Sequence, residues 1–344
     1  MCGSPPRYHV MSVHDLIFPH YAPALCQYAS GQTAYRWMPA GMPRLNPVLE
    51  RSAFFLFRRD PKTGAIPPEP EGTGFIVGRP WKTIPGRAHF YAVSNWHVVV
   101  DVGASILRIN TPDGASRKIE TEPHEWYFVT PGDDLVICDI TDSLNTEGLY
   151  ADAMTFIHEA TFATPQFIFE HDIGMGDDVF MVGLFIDHPG KDENVPLGRF
   201  GNISRLSSGA SLVEQPNGQM GPSHLVDTRS RGGFSGSPVF VYRSPFTSMK
   251  SVEGPNRTAV IDPTDLFCML LGVHCAQFPE EVRIKIAESK RTQIEEGDIL
   301  KIPSSLTVVV PAWEISRLMD SDTFALIREE REKNGVRRVA VAEI

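Results

Sequence analysis

From Ser52 onward the chain consists of short runs of β-branched and aromatic residues, each bounded by turn-forming residues. The runs are AFFLF, GFIVG, FYAVSN, SILRIN, LVICDI, DVFMVGLFI, GNISRLS, SGSPVFVY, CMLLGVHC and LTVVVPA. Short runs of this type between turn signals are typical of strands, and few long helical patterns interrupt them. The pattern therefore predicts an all-β fold of barrels or sandwiches.

The composition is that of an ordinary globular chain and argues against several classes of partner. The chain has 344 residues, of which 42% are hydrophobic and 22% charged, enough for two domains and a large core. A net charge of −10 argues against nucleic acid or an anionic membrane as the main partner. No apolar run reaches signal-peptide length near the start, and none approaches the ~20 apolar residues of a membrane span. We expect a cytoplasmic protein.

The cysteines indicate neither a disulfide framework nor a zinc site. They are odd in number and show no CxxC spacing. The positions are Cys2, Cys26, Cys138, Cys268 and Cys275. We expect buried or incidental thiols, and neither a metal nor an organic cofactor.

The two ends of the chain differ from its centre. Residues 1–47 are rich in Pro, Tyr, His and Met without clear periodicity, which predicts an extension packed on a core. The segment PAWEISRLMDSDTFALIREEREKNG predicts helix, broken near Asp320, and its charge run REEREKNGVRR indicates a solvated face or a frayed tail. The predicted domains are residues 1–47, 48–320 and 321–344.

Two residues in the first half are candidates for acid–base chemistry. In FYAVSNWHVVV, a strand delivers His97 where a turn or short helix begins, although a lone histidine is more often a satisfied polar residue. In PGDDLVICDI, Asp134 stands immediately before an apolar run, where a carboxylate can accept from a histidine ring. A turn aspartate is the ordinary alternative for Asp134, and Asp133 is the competing carboxylate.

The segment SRGGFSGSPVF places Ser235 in a tight glycine turn that feeds a strand. Such a serine is either a nucleophile or a turn residue, and the rest of the chain must supply a base and an acid. The candidates occur in the order His97, Asp134, Ser235, separated by 37 and 101 residues. An α/β-hydrolase has the order Ser, Asp, His, so this class of enzyme is excluded. The H-E-x-x-H and phosphate-loop motifs are absent, which argues against metal and nucleotide chemistry.

Taken in order, these segments resemble the chymotrypsin-like (trypsin-fold) serine peptidases, and within them the bacterial V8-like glutamyl endopeptidases and HtrA-type protease domains. The matching pieces span residues 52 to about 320 and are GTGFIVG, SNWHVVVD, DDLVICDI, GDDVFMVG, GNISR, GGFSGSPVF, LLGVHCA and LTVVVPAWEISRLM. The resemblance implies two six-stranded antiparallel β-barrels with a cleft between them and a C-terminal helix.

The resemblance also implies a role for each candidate. Ser235 would be the nucleophile, His97 the general base, and Asp134 the acid that orients the imidazole. The backbone N–H groups of Gly233 and Ser235 would form the oxyanion hole. Ser237 would be a turn or strand residue behind the nucleophile. The implied activity is that of a serine endopeptidase acting on a protein or peptide substrate.

Position 234 departs from the pattern of the resembling families. Phe234 stands where the trypsin branch has an aspartate that pairs with a newly cut N-terminus, and the bacterial branches usually have asparagine. A phenyl ring cannot accept that ion pair. Activation by N-terminal insertion is therefore not expected, whereas residues 1–47 or a regulatory partner protein can still control access to the cleft.

The resemblance points to Ser230 and His274 as substrate-binding residues of the S1 pocket. Glutamyl endopeptidases have a hydroxyl residue and a G-[IV]-H histidine at these places, and both can hydrogen-bond a substrate carboxylate. Arg229 or Arg231 would add charge. The alternative is that His274 only bonds backbone.

Two other functions remain open from the sequence. One is a catalytically silent interaction module on the same fold, which Phe234 beside the nucleophile keeps open and an intact triad argues against. The other is an HtrA-like quality-control protease, which is disfavoured because too little chain follows the core for a PDZ domain.

Overall fold

The described part of the chain forms two β-sheet units followed by helices. The structure is a computed structural model that describes residues 49, 51–111, 114–146, 156–209, 211–228, 232–243, 249–251, 259–261, 267–283 and 299–342. These residues all fall within one compact unit, Leu45–Ile344. The predicted N-terminal extension, residues 1–47, lies outside the described residues.

The first half forms a largely antiparallel sheet. Its strands are β1 (Ala53–Arg58), β2 (Gly72–Pro80), β3 (Ala88–Ser94), β4 (Ala104–Asn110), β5 (Ser116–Ile119), β6 (Val136–Asp139) and β7 (Ile157–His158). The order is β5–β4–β1–β2–β3–β6, and β7 adds to β2 in parallel. Strand β1 is apolar from Ala53 to Phe57 because successive residues, such as Phe54 and Phe55, are buried in different core clusters on its two faces.

The second half closes into a barrel. Its strands are β8 (Asp178–Gly183), β9 (Leu197–Arg205), β10 (Leu212–Glu214), β11 (Met220–Pro222), β12 (His224–Thr228), β13 (Pro238–Arg243), β14 (Met249–Ser251), β15 (Ala259–Ile261), β16 (Phe267–Arg283) and β17 (Ile299–Pro311). The closed ring is β12–β17–β16–β13–β8–β9, while β10–β11 and β14–β15 are separate two-stranded pairs.

Four α-helices complete the described elements: α1 (Thr141–Thr146), α2 (Pro165–Glu170), α3 (Ala312–Met319) and α4 (Asp322–Ala342). The predicted break near Asp320 is confirmed, since α3 ends at Met319 and α4 begins at Asp322. No helix within the described ranges combines the length and the apolarity that crossing a bilayer requires.

The prediction of an all-β fold with a C-terminal helix is confirmed, and of the two predicted six-stranded barrels the one in the second half is present, while the first half forms a seven-stranded sheet. In the described residues the second half closes into a barrel, whereas the end strands β5 and β6 of the first half are not paired with each other. One core cluster draws on both halves and on α3, with Phe75 and Leu135 from the first half, Phe180 and Val273 from the second, and Ile315 from the helix. The two halves are therefore joined by apolar packing.

Helix α4 is held against the first sheet by a buried carboxylate. Glu332 is only 6% exposed. It accepts hydrogen bonds from the Lys82 and Thr83 amides at 3.1 and 3.0 Å, from the Thr83 hydroxyl at 2.9 Å, and lies 3.0 Å from the His89 ring. The expectation that the charge run is a solvated face or a frayed tail is therefore wrong at Glu332, because these N–H and O–H groups give its carboxylate a full set of partners.

Removing the Glu332 carboxylate should destabilise the fold. The change Glu332→Ala leaves buried donors without an acceptor, at a cost of roughly 3 kcal/mol in the free energy of unfolding. Urea unfolding monitored by circular dichroism measures this, with Glu330→Ala, an exposed position on the same helix, as the control. Equal stability of the two variants would contradict the assigned role of Glu332.

Candidate active site

His97 lies where strand β3 ends and a short helical turn begins, as the sequence predicts. Strand β3 ends at Ser94, and the turn spans His97–Asp101. The next two residues, Val98 and Val99, are buried in the core of the first sheet, which fixes the start of the turn. The His97 side chain itself remains 22% exposed and so is accessible to a substrate.

The carboxylate of Asp134 forms two hydrogen bonds with His97. The His97 ring nitrogen Nδ1 lies 2.6 Å from Asp134 Oδ2, and the His97 backbone N–H donates to Oδ1 at 2.9 Å. Asp134 is fully buried. A carboxylate that accepts from Nδ1–H leaves Nε2 as the free, basic nitrogen of a neutral imidazole. The pairing thus prepares His97 to accept a proton at Nε2.

Asp134 is itself positioned by two amide side chains. Its backbone N–H donates to Gln215 Oε1 at 2.6 Å, and its carbonyl accepts from Asn95 Nδ2 at 2.8 Å. Gln215 directly follows strand β10 in the second half of the chain. Sequence reasoning missed Gln215, because a contact across 81 residues leaves no local pattern. Asn95 adjoins His97, so its place beside the site could have been inferred.

Asp133, the competing carboxylate, has different neighbours. Its Oδ1 accepts from Gln215 Nε2 at 3.0 Å, and its Oδ2 lies 3.5 Å from Arg317 of helix α3. Of the two adjacent aspartates, Asp134 is the one that contacts His97 in the described residues. Gln215 thus bridges them, with its amide nitrogen on Asp133 and its amide oxygen on the Asp134 backbone.

Asp133 and Glu314 form a pair of buried carboxyls at the edge of the site. Burial raises the pKa of Asp133 above its usual value, and burial together with the nearby Asp133 charge raises the pKa of Glu314. Arg317 moderates the repulsion, since its Nε lies 2.8 Å from Glu314 Oε2. The two carboxyls also line a small cleft of about 190 Å³ with Arg317 and Leu318.

Ser235 lies in a turn that only glycine allows on both sides. Gly233 has φ of +93° and Gly236 has φ of +85°, in the left-handed region that side chains disfavour. The turn is closed by a hydrogen bond of 2.9 Å from the Ser237 N–H to the Phe234 carbonyl. Ser235 is half-buried, whereas Ser237 is fully buried. Of the two serines, Ser235 is the one open to a substrate.

Strand β2 brings the Ser235 turn and the His97 turn together. The Thr73 N–H donates to the Ser235 carbonyl at 2.9 Å. A Cβ placed on Gly72 would lie 2.7 Å from Val98, the residue after His97, and 3.4 Å from the Ser235 carbonyl oxygen. No hydrogen bond joins the side chains of His97 and Ser235 among the described contacts. Such bonds are often long in a substrate-free site and tighten when substrate binds.

The backbone N–H groups of Gly233 and Ser235 are the two donors predicted for the oxyanion hole. Within the described residues, neither the N–H of Gly233 nor that of Ser235 donates to an acceptor. A Cβ on Gly233 would lie 3.1 Å from Leu184, so a larger residue would crowd the turn as well as strain it. Two unused donors beside a half-buried serine can stabilise negative charge on a substrate oxygen.

Phe234 is an apolar anchor for the turn. It is fully buried in the core of the barrel, in one cluster with Met181 and Val239. The guanidinium of Arg199 lies over its ring, with Cζ at 5.8 Å from the ring centre. Burial of a phenyl ring supplies about 2 kcal/mol or more of hydrophobic stabilisation to hold the turn in place.

His274 lies directly behind the turn. Its backbone carbonyl accepts from the Gly236 N–H, and its own N–H donates to the Ser237 carbonyl, both at 2.9 Å. The side chain is 2% exposed, and in the described residues neither ring nitrogen has a hydrogen-bond partner. Burial, together with the nearby His97, lowers the pKa of His274 to about 4, against a smaller opposing effect of the Phe234 and His274 backbone. The other predicted S1 residues, Ser230, Arg229 and Arg231, lie outside the described residues.

The described cysteines are poor nucleophiles. Cys138, Cys268 and Cys275 are free thiols, and burial raises the pKa of the first two to about 12 and that of Cys275 well above its usual value. Among the same described residues, no three His, Cys, Asp or Glu side chains lie close enough together to hold a metal ion.

Comparison with known proteins gives only distant likenesses. No protein-family model and no curated protein matches the chain. The Rv3671c protease of M. tuberculosis in its active form is similar with 16% identity and a TM-score of 0.39, over 80% of this chain and 83% of that one. Its inactive form gives 15% identity and a TM-score of 0.37, over 80% and 91% of the two chains.

The carboxyl pair should make stability depend on pH. Asp133 and Glu314 ionise near 3.8 and 4.5 when unperturbed, and folding raises both pKa values, so the pair costs stability as pH rises through and above these values. Replacing Glu314 by Gln removes one of the two ionisations. As pH rises from about 4 to about 7, the free energy of unfolding of Glu314→Gln should therefore increase relative to that of wild type.

Urea unfolding across this pH range measures the difference, with the exposed Glu330→Gln as the control. A difference between Glu314→Gln and wild type that does not change with pH, or that favours wild type as pH rises, would contradict the assignment.

Proposed function

We propose that the protein is a serine endopeptidase that cleaves peptide bonds through an acyl-enzyme. The observation that carries the proposal is the buried Asp134 carboxylate paired with His97 at 2.6 Å, next to Ser235 in a glycine turn. A base oriented by an acid, together with a half-buried serine hydroxyl and two amides that have no acceptor in the described residues, is the arrangement that acyl transfer requires.

In the proposed reaction, Ser235 Oγ attacks the carbonyl carbon of the substrate peptide bond. His97 Nε2 takes the hydroxyl proton, and Asp134 stabilises the resulting imidazolium through the bond to Nδ1–H. His97 then gives that proton to the leaving amine, which departs and leaves an ester on Ser235. A water molecule, deprotonated by His97, hydrolyses the ester and restores the free serine.

The amides of Gly233 and Ser235 are the proposed oxyanion donors. As the carbonyl carbon becomes tetrahedral, its oxygen gains negative charge, and each well-placed donor stabilises that charge by ~3 kcal/mol. The burial of Phe234 holds this turn without an ion pair to a free N-terminus. On this proposal, activity does not depend on cleavage that creates a new N-terminal amine.

We propose further that the S1 pocket accepts an acidic side chain through His274, as in the glutamyl endopeptidases that the sequence resembles. The support is a buried imidazole whose two ring nitrogens lack partners in the described part of the chain. A carboxylate that leaves water loses several kcal/mol of hydration, so it enters only where donors replace that water. A neutral imidazole offers one N–H donor.

Substitution of each proposed catalytic residue should abolish most activity. Ser235→Ala, His97→Ala and Asp134→Asn should each lower kcat by roughly 10⁴-fold, because the three act as one unit. Ser237→Ala and Asp133→Asn are the matched controls, since they alter the neighbouring serine and the neighbouring aspartate. Cleavage of a fluorogenic peptide library measures the rates.

A fluorophosphonate probe gives an independent test that needs no knowledge of the substrate. The wild type should be labelled on Ser235, and Ser235→Ala should not be labelled. A folded wild type that resists labelling and cleaves no peptide would reject the peptidase and favour the interaction module. Loss of labelling in Ser237→Ala as complete as that in Ser235→Ala would move the nucleophile to the other serine.

Substitution of His274 should change selectivity more than general activity. We expect His274→Ala to lower kcat/KM on peptides with Glu at P1 by about 100-fold, because a buried carboxylate is left without its donor, and to affect a matched Gln peptide far less. Matched peptides with Glu, Asp, Gln, Leu and Lys at P1 measure this, with the exposed His124→Ala as the control. A wild-type preference for Leu or Lys would reject the acidic pocket and leave the peptidase proposal intact.

A further inference from the structure

Thr73, in strand β2, is hydrogen-bonded through its backbone and its side chain to both halves of the site. It is fully buried. Its N–H donates to the Ser235 carbonyl at 2.9 Å, and its carbonyl accepts from the Ser94 hydroxyl at 2.7 Å. Its own hydroxyl donates to the Gly233 carbonyl at 2.8 Å and accepts from the Leu184 N–H at 2.9 Å. One side chain thus links strand β8 to the Ser235 turn.

The direction of each hydrogen bond at the Thr73 hydroxyl is fixed by its partners. The Leu184 N–H can only donate, so the hydroxyl oxygen accepts from it, and the hydroxyl proton is left for the Gly233 carbonyl. Bonds in such a chain polarise one another and strengthen. The hydroxyl therefore holds the Gly233 carbonyl in one direction.

The two carbonyls that Thr73 holds belong to the residues that supply the oxyanion amides. The Gly233 carbonyl is bound by the Thr73 hydroxyl and the Ser235 carbonyl by the Thr73 N–H. The peptide between Phe234 and Ser235 is fixed separately, because the Phe234 carbonyl accepts from the Ser237 N–H. Gly233 lacks a side chain that would restrain it, since a glycine at φ of +93° can rotate at little cost.

We propose that Thr73 is a positioning residue for the oxyanion amides, acting through the hydrogen bond from its hydroxyl to the Gly233 carbonyl. The inference rests on the proposed peptidase function. Without the hydroxyl, the buried Leu184 N–H and the Gly233 carbonyl both lose their partner. Rotation about the Gly233 backbone then turns its carbonyl toward another donor. The Gly233 N–H consequently no longer points at the substrate oxygen. The transition state loses stabilisation, whereas binding of the uncharged ground state changes little.

The test compares variants that differ only in the hydroxyl. Thr73→Val keeps the β-branched shape and the backbone bonds, and it should lower kcat on the order of 10- to 100-fold with KM within about twofold, less than the full loss of an oxyanion donor. Thr73→Ser keeps the hydroxyl and should remain within about threefold of wild type. A Thr73→Ser variant as slow as Thr73→Val would overturn the proposal, because the lost group would then be the methyl.

The labelling rate per active site distinguishes a loss of positioning of the oxyanion amides from damage to the fold. Labelling with a fluorophosphonate gives the number of active sites from its end point and the reactivity of each site from its rate. Thr73→Val should reach the wild-type end point slowly. The control is Thr307→Val in strand β17, which also removes a buried hydroxyl with two partners, the Val226 carbonyl and Thr228 Oγ1, outside the turn. It should label at the wild-type rate.

The outcomes separate this proposal from the function on which it rests. A wild type that is not labelled rejects the peptidase itself. A labelled wild type with Thr73→Val reacting at the same rate per site rejects only the role of Thr73, as does a reduced end point with an unchanged rate. If Thr73→Val does not fold, Thr73→Ala removes the same hydroxyl without crowding the site, and it should show the same loss of rate per site.

Discussion

The candidate site depends on a single buried charge, the carboxylate of Asp134. An ionised carboxylate without contact to water costs several kcal/mol unless hydrogen-bond donors surround it. The donors here are the backbone N–H and the ring of His97, while Gln215 and Asn95 hold the Asp134 backbone. Any conformation that moves His97 away would leave this charge unpaired. The cost of that burial keeps the imidazole in one place and one tautomer.

The Ser235 turn is held by a different kind of force. Phe234 fixes it by apolar burial, and its glycines permit the left-handed backbone that the turn requires. Apolar burial does not titrate and is not screened by salt, unlike an ion pair. The turn should therefore keep its shape over a wide range of pH and ionic strength. The polar contacts through strand β2 then fix the orientation of individual peptide groups within an already rigid turn.

The sequence predicts those features that are local in the chain. The strand runs, the glycines around Ser235, the position of His97 at the end of a strand and the helix break near Asp320 all follow from neighbouring residues. The place of Asp134 directly before an apolar run favours it over Asp133, but its contact with His97 joins segments 37 residues apart and is visible only in the structure. The partners Gln215 and Glu332 were missed for the same reason, since their contacts join distant segments. The charge of Glu332 favoured a solvated position, but tertiary hydrogen bonds outweighed that preference.

These long-range polar contacts also connect the C-terminal helices to the candidate site. Helix α3 contributes Glu314 beside Asp133, and the Gln215 amide joins Asp133 to the backbone of Asp134. A protein of this size gains nothing in stability from two like carboxyls that are both buried. The amide of Gln215 presents its oxygen to the Asp134 N–H while its nitrogen donates to both Asp133 and the Ser223 hydroxyl. A path of hydrogen bonds thus runs from His97 through Asp134, Gln215 and Asp133 to helix α3, which begins 77 residues after Ser235.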